Sequence, residues 1–213
     1  MKLNGSKKIM LNKEEKKELL KIARNSIDSY FKGKRYQPET KFENLKKPLG
    51  SFVTLKISAS LSGLPGHGQE GGSAVGGNDY LRGCIGTLKA KEPLYKVVSQ
   101  MSLAAAFEDP RFTPLTKKEF EVVTIEISIL SPLKKIKDPF KEIEIGEHGV
   151  FVKSKKDYRS GLFLPQVAVE NNWDLEKFMT ELCENKAGLE PDAWKEGEVD
   201  IYTFTAEVFS EPR

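Results

Sequence analysis

The segment LRGCIG at residues 81–86 is the most distinctive stretch of this chain, because it places a cation and a thiol among glycines. Tyrosine and threonine flank the segment and favour a β-strand. In a regular strand successive side chains point to opposite faces, so we expect Arg82 and Cys84 to share one face. Glycine weakens a strand interior, and Gly83 and Gly86 therefore indicate a bulge or a place where a ligand or another backbone comes close. The segment predicts a strand whose chemistry lies on one face.

Hydrophobic periodicity around this segment predicts a mixture of helices and strands. Asn12 and Glu15 have the spacing of a helix-capping box, and the apolar residues that follow predict a first helix over residues 13–32. Alternating apolar residues predict a half-buried strand from Phe52 and a clearer strand over 123–129. Further expectations are helices at 93–107 and 175–188, extended pieces over 143–152, a hairpin over 157–164 and a final strand over 202–208.

Residues 60–79 break this periodicity with seven glycines and one proline, which predicts a long loop inserted between two strands. The loop has no GxGxxG motif and no Lys-Ser or Lys-Thr pair opening a helix, so a nucleotide cradle is not expected. A lid over a site and an inert insertion both stay open. His67 in this loop is expected to be solvated rather than to act as a metal ligand or base.

The composition is that of a soluble, intracellular protein. The 213 residues carry 34 Lys and Arg against 31 Asp and Glu, and the net charge of +3 is too small to indicate a nucleic-acid protein. The first residues lack the apolar core of a signal peptide, and no apolar run approaches the roughly 18 residues of a membrane helix. We therefore expect a single cytoplasmic domain over residues 1–213 with no membrane association. A local RNA-binding patch in the lysine-rich residues 32–47 stays open as an alternative.

Cysteine chemistry is the main functional hypothesis from the residues themselves. Cys84 and Cys183 lie far apart with no CxxC pair, so both are expected to be free thiols. A cysteine attacks as its thiolate, and a nearby cation such as Arg82 lowers the thiol pKa from its ordinary value of about 8.5. His148, on a glycine-rich turn, is the better placed of the two histidines to act as the base. The alternative is structural, with a buried cysteine and an arginine that pairs with Asp or Glu.

The turn at residues 108–112 places two carboxylates beside Arg111. One interpretation is an anion-binding or hydrogen-bonding corner, and the other is a self-neutralising structural turn. The histidines and carboxylates of the chain show no HxH or HExxH spacing. We therefore expect no metal site and assign no cofactor.

Seven segments along the chain together resemble one protein family. They are FVTLK at 52–56, LRGCIGTL at 81–88, AAAFEDPRFTPLT at 104–116, ISILSPL at 127–133, GEHGV at 146–150, GLFLPQVAVENNW at 161–173 and PDAW at 191–194. On these motifs the chain resembles the AMMECR family, known in microbes as AmmeMemoRadiSam system protein A, of which LRGCIG is the signature. Members typically join the first two segments through a short turn, so the glycine-rich segment departs from the family pattern.

The resemblance implies an α+β fold of two lobes, with a mainly antiparallel sheet, flanking helices and a cleft between the lobes. It implies no established reaction. Microbial members occur beside, or fused to, a Memo-like protein and a radical SAM enzyme, which implies a shared modification pathway with these partners. Our first hypothesis is therefore an enzyme or enzyme subunit that uses Cys84 and His148 as catalytic residues in the cleft.

Binding of the substrate is assigned to the residues around this cysteine. Arg82 and Arg111 are expected to bind an anionic group of a small-molecule or macromolecular substrate, and Gly83 and Gly86 are assigned to the same ligand-binding site. The alternative hypothesis is a noncatalytic adaptor or substrate carrier, in which the LRGCIG strand shapes a docking groove for the radical SAM and Memo-like partners.

Overall fold

A computed structural model describes residues 10–58 and 79–212. These residues form two compact units. The first unit comprises residues 10–130 together with the segment that begins at Glu207, and the second comprises Ser131–Ala206. The fold is α+β with antiparallel strands, as predicted, and each unit has its own sheet. The predicted cleft between the lobes stays a prediction.

The first unit opens with the predicted helix α1, Lys13–Phe31. The Asn12 side chain accepts a hydrogen bond from the Glu15 N–H, and the Glu15 carboxylate accepts one from the Asn12 N–H, both at 2.9 Å. This confirms the capping box, which satisfies donors that a helix start leaves unpaired. A short 3₁₀ helix follows at Glu43–Lys46, and the unit also contains α2, Leu94–Phe107, and α3, Lys117–Phe120.

The sheet of the first unit contains β1, Ser51–Ser58; β2, Asp79–Thr87; β3, Thr124–Leu130; and β8, Ala206–Ser210, in the order β2-β1-β3-β8. β1 pairs antiparallel with both β2 and β3. One face of the sheet packs against α1 and α2, and its apolar residues are fully buried, among them Val53, Leu55, Ile57, Ile125 and Ile127. The predicted loop at 60–79 lies outside the described residues up to 78, and Asp79 belongs to β2, where it pairs with Ser58.

The second unit has the sheet order β4-β7-β5-β6. Its strands are β4, Lys134–Ile136; β5, Gly149–Ser154; β6, Ser160–Phe163; and β7, Val199–Phe204. Its helices are α4, Pro139–Glu142; α5, Pro165–Glu170; and α6, Leu175–Glu181, which continues into a π-helical turn at Leu182–Lys186. Phe178, Met179, Val150 and Trp194 lie at the centre of its core. The predicted hairpin is confirmed, because β5 and β6 pair antiparallel with Val150 opposite Phe163.

The structure corrects two strand predictions. The single strand expected over 202–208 is wrong, because the chain breaks its pairing at Thr205 and the two halves join different sheets. Ser131 holds this break by donating its N–H to the Thr205 carbonyl and accepting the Thr205 N–H on its hydroxyl, both at 2.9 Å. Of the extended pieces expected over 143–152, only the second is a strand, since the residues before Gly149 form a turn.

Helices of the described ranges 10–58 and 79–212 include none that is both long and apolar enough to cross a bilayer.

Candidate functional site

A β-bulge interrupts the LRGCIG strand at Arg82. Leu55 of β1 pairs with Gly83 and Lys56 pairs with Leu81, so Arg82 is the extra residue of β2. A bulge of this kind breaks the alternation of side chains across the strand. Cys84 therefore lies on the face of its partner Thr54, whereas Arg82 lies on the opposite, buried face. The expectation that Arg82 and Cys84 share one face is wrong for this reason.

Arg82 forms a buried ion pair with Glu119. Its Nε donates to Glu119 Oε1 at 2.8 Å and its Nη2 to Oε2 at 3.1 Å, and the two side chains are only 4% and 3% exposed. The same Nη2 also donates to the Thr113 carbonyl at 3.0 Å. Burial opposes ionisation of Glu119, but hydrogen bonds from Arg82 and Thr116 outweigh it and hold the pKa of that carboxyl below its usual range. The guanidinium is thus neutralised by a carboxylate 37 positions away along the chain.

Asp109 and Arg111 bind the backbone of Cys84. β2 is an edge strand of the first sheet. The Asp109 carboxylate accepts the Cys84 N–H at 2.8 Å, and Arg111 Nη2 donates to the Cys84 carbonyl at 3.2 Å. The two side chains also pair with each other through Arg111 Nε and Nη2, at 3.0 and 2.7 Å. The pair therefore satisfies the backbone donor and acceptor of Cys84, as a neighbouring strand would at this one residue.

The electrostatics of this corner keep the pair charged. Asp109 is buried, and its desolvation opposes ionisation, yet hydrogen bonds from Arg111 and from the Cys84 backbone hold its pKa below the ordinary value. The Arg111 side chain is 47% exposed, so its outer edge meets solvent. The turn at 108–112 thus neutralises its own charges and also hydrogen-bonds the neighbouring strand, whereas binding of an anion there stays a prediction.

The Cys84 thiol is half-buried and bonded to a neutral group. The Thr54 hydroxyl donates to Sγ at 3.2 Å. Burial raises the pKa of the thiol above its ordinary value, although the Thr54 hydrogen bond and the charge of Arg111 act in the lowering direction. Glu126, which pairs with Thr54 across the sheet and forms an ion pair with Lys56 at 2.8 Å, acts in the raising direction. The thiol is therefore held in its protonated, weakly nucleophilic form at neutral pH.

The two glycines of the segment are required by close packing. A Cβ at Gly83 would lie 2.2 Å from the Ala105 carbonyl oxygen of α2. A Cβ at Gly86 would lie 2.2 Å from the ring of Phe52, its cross-strand partner. The prediction of a bulge and of a close backbone approach is thus confirmed at Arg82 and Gly83. Binding of a ligand at these glycines stays a prediction.

His148 lies in the second unit, in the turn before β5. Its Nδ1 accepts the Glu144 N–H at 3.0 Å, which leaves Nε2 as the proton-bearing nitrogen of the neutral ring. Cys84 and His148 belong to different units, and their pairing as nucleophile and base stays a prediction. His67 lies outside the described residues.

Both cysteines are free thiols, as predicted. Cys183 is fully buried in the π-helical turn after α6, and burial raises the pKa of its thiol to about 11. Within residues 10–58 and 79–212, His, Cys, Asp and Glu side chains form no group of three that would hold a metal ion.

The sequence did not reveal which residues bind the side chains of Arg82 and Cys84. Glu119 sits in an exposed-looking KKEF run, and Thr54 looks like an ordinary outward residue of a half-buried strand. A weak signal existed for Glu119, since Thr116 and Glu119 have capping-box spacing and the structure shows both of the reciprocal bonds. Periodicity carries no signal for a pairing between distant segments, so the partners of Arg82 and Cys84 emerge only from the fold.

The structure and sequence match known proteins over almost the whole chain. A crystal structure of an uncharacterized protein from Pyrococcus horikoshii superimposes with a TM-score of 0.78 at 34% identity, covering 94% of this chain and 93% of that one. A protein of Aquifex aeolicus is 38% identical over 200 residues, 92% of each chain. A protein of Methanopyrus kandleri is 38% identical over 208 residues, covering 94% of this chain and 90% of its own.

The family model for AMMECR1 matches residues 20–209, which span LRGCIG, the Asp109–Arg111 corner and the sheets of both units. The resemblance read from the seven motifs is therefore confirmed. With the shared fold and this match, the chain belongs to the AMMECR1 family.

Proposed function

We propose that this protein is a noncatalytic adaptor or substrate carrier of the cytoplasm, which works with radical SAM and Memo-like partner proteins. The proposal rests on the interactions of the arginines and the thiol in and beside the LRGCIG strand. Arg82 is bound to Glu119, Arg111 is bound to Asp109, and the pKa of the Cys84 thiol is raised. The two arginines expected to bind a substrate are thus paired with carboxylates of the protein itself.

An enzyme that used Cys84 as nucleophile would need a thiolate and a free cation for an anionic substrate. The carboxyls of Glu119 and Asp109 have lowered pKa values, so they stay charged at neutral pH and keep the arginines paired. Separating a buried ion pair is costly because it leaves an uncompensated charge. Arg82 is therefore a structural residue, and Arg111 positions the strand edge.

The same bonds favour a docking role. Leu81, Cys84 and Gly86 are half-buried and share one face of β2, which we call the β2 face. The bulge, the close contact of Gly83 with α2 and the Asp109–Arg111 pair fix the backbone beneath it. A surface that is ordered before binding loses less conformational entropy on association. The β2 face is thus suited to a partner that recognises a preformed shape.

Copurification tests the proposal in a strain that carries tagged radical SAM and Memo-like proteins. Cys84→Ser changes the thiol to a hydroxyl of similar size, so we expect copurification and pathway function to persist. Leu81→Glu places a charge on the β2 face and is expected to abolish copurification. Lys118→Glu on α3, away from this face, is the matched control and is expected to behave as wild type. Loss of pathway function in Cys84→Ser with copurification intact would contradict the proposal.

The second candidate is a cysteine enzyme with Cys84 as nucleophile and His148 as base. Two observations favour it. The Cys84 thiol is only half-buried, and Arg111, whose charge acts to lower the pKa of that thiol, has a solvent-facing edge. Under this hypothesis Cys84→Ser and His148→Gln would each remove pathway function. The adaptor hypothesis expects both variants to retain it.

A further inference from the structure

An open groove of about 730 Å³ lies in the first unit, away from the β2 face. It is formed by the end of α1, by α2 and by the extended residues 34–39. Gly33 directs the chain into this position, because its φ of +62° is a left-handed conformation that turns the backbone at the helix end. Pockets of about 300–1,000 Å³ are the size that takes small organic ligands.

Aromatic side chains form one part of the groove. Tyr30, Tyr36 and Tyr95 all line it. The Tyr30 ring stacks on Phe107 with centroids 3.9 Å apart, so its orientation is set by packing, yet the residue is 57% exposed. A ring held on one side and open elsewhere is a ready stacking surface for a planar ligand.

The floor of the groove offers a hydrogen-bond acceptor. Ser26 of α1 and Ser99 of α2 are both buried and their hydroxyl oxygens lie 2.7 Å apart. Ser26 donates its proton to the Ile22 carbonyl at 2.7 Å, so Ser99 must be the donor between the two hydroxyls. Both protons are therefore used, and the Ser99 hydroxyl oxygen keeps its two lone pairs to accept from a ligand N–H or O–H.

The rim of the groove is cationic. Lys34, Arg35 and Lys96 line it and are exposed, against one carboxylate among the lining residues, Glu39. Ammonium and guanidinium groups with several donors bind phosphate well, and Arg does so through two parallel bonds. The groove thus combines an acceptor at its floor, tyrosines and an excess of positive charge at its rim.

We propose that this groove binds a nucleoside monophosphate or a closely similar phosphorylated aromatic compound. The planar base stacks on the tyrosines, its N–H groups or the ribose hydroxyls donate to Ser99, and the phosphate contacts Lys34, Arg35 and Lys96. A small ligand fits better than a nucleic-acid strand, because the rim carries few cations and the overall charge of +3 is low. The site shares no residue with the β2 face, so it is independent of the adaptor proposal.

Isothermal titration calorimetry of the full-length protein with AMP tests this site. We expect a dissociation constant below about 1 mM for AMP. Adenosine alone and inorganic phosphate alone each lack half of the contacts and are expected to bind at least about tenfold more weakly. Amide shifts in an NMR titration are expected to map to residues 26–39 and 95–103.

Two charge-matched double variants separate the groove from general electrostatics. Lys34→Ala/Arg35→Ala removes two rim cations and is expected to weaken AMP binding by about tenfold or more. Lys117→Ala/Lys118→Ala removes two exposed cations of α3 and is expected to leave binding unchanged. Tyr36→Leu, which keeps the charge, is expected to weaken AMP and adenosine alike.

Four outcomes would overturn the proposal. They are no AMP binding up to about 10 mM, equal weakening by the two double variants, NMR shifts that map outside the groove, and much tighter, steeply salt-dependent binding of a U10 oligoribonucleotide. The last result would assign the groove to single-stranded RNA instead.

Discussion

Arg82 shows how one residue of the LRGCIG segment stabilises the fold. Its guanidinium is buried and is held by two bonds to Glu119, which also closes the capping box of α3. A lone buried charge is far less stable than a buried pair, so neither residue is expected to tolerate loss of its partner. The arginine thereby fixes the residues after α2 to the bulge of β2.

We predict that Glu119→Gln destabilises the protein by about 3–5 kcal/mol, because it leaves the Arg82 charge buried without its partner. Glutamine can still close a capping box, so the loss reports the ion pair rather than the helix start. Urea unfolding followed by circular dichroism measures the effect. Glu121→Gln is the same chemical change at an exposed neighbour and is expected to stay within about 0.5 kcal/mol of wild type.

The pH dependence of the stability difference provides a second test of this ion pair. The pKa of Glu119 is lowered in the folded protein, so its charge contributes stability above its unfolded pKa, and that stability is lost as pH falls through the folded value. The stability difference between wild type and Glu119→Gln should therefore shrink below about pH 4.5. A difference that stays constant into acid would contradict the ion-pair explanation.

The two thiols provide a second test at the residue scale. We predict that iodoacetamide modifies native Cys84 slowly at pH 7 and faster as pH rises above 9, because burial raises its pKa from 9.0. Cys183, with a pKa raised to about 11 and no exposed surface, is expected to react only on unfolding. Mass spectrometry of tryptic peptides measures each site. Rapid modification of Cys84 at pH 6 would instead indicate a thiolate and support the enzyme hypothesis.

At the scale of elements, β2 is an edge strand whose irregularities are each matched by a contact. The bulge places Arg82 on the buried face, Gly83 allows α2 to approach, and Asp109 with Arg111 binds the backbone N–H and carbonyl of Cys84. Edge strands that leave such groups unpaired invite association with other chains. The Asp109–Arg111 pair is therefore a protective feature of the fold as well as a support for Cys84.

We predict that Gly83→Ala costs about 3 kcal/mol or more, since its Cβ would lie 2.2 Å from a backbone oxygen of α2 that has little room to move. The control is Gly197→Ala, where φ is +72° but no atom lies within 4 Å, so only backbone strain of about 1 kcal/mol is expected. Urea unfolding of both variants gives the comparison. Equal losses would show that α2 yields readily at this contact.

The elements that sequence reasoning predicted well are those with strong local signals. The Asn12–Glu15 box located α1, and the alternation of isoleucines located β3. The glycines of LRGCIG indicated a bulge or a close approach, but the change of face at Arg82 and the break at Thr205 could not be predicted, because both depend on which strands lie alongside. For the same reason the pairing of Arg82 with Glu119 and the contact of the Cys84 thiol with Thr54 were not predicted.

At the scale of the whole molecule, the chain leaves the first unit after Leu130 and returns to it after Ala206. The returning strand β8 closes the first sheet beside β3. Two carboxylates at the end of the described chain, in and just after β8, also bind residues of α1, β3 and the residue before the α1 cap. Glu207 accepts the Leu11 N–H and pairs with Lys16, and Glu211 pairs with Arg24 and accepts the Ile125 N–H.

We predict that deletion of residues 207–213 raises amide hydrogen exchange in β3 and α1, because β3 loses its neighbour and α1 loses two ion pairs. Amides of β5 and β7 should keep their protection, since the second core is built from residues 131–206. The double variant Glu207→Gln/Glu211→Gln keeps the strand and should show a smaller effect, limited to α1 and to the Ile125 amide that Glu211 binds. Loss of protection in β5 and β7 as well would show that the two units unfold together.

The return of the chain at Ala206 also sets an order for folding during synthesis. β1, β2 and β3 leave the ribosome well before β8, and residues 131–206 must be translated in between. At about 5–20 residues per second this takes about 4–15 s. The outer edge of β3 has no strand partner during that interval, and at its end the second unit has all of its residues before β8 is complete. The unit that begins first is thus completed last, and translation speed over residues 131–206 becomes a determinant of how long an aggregation-prone edge is exposed in the cell.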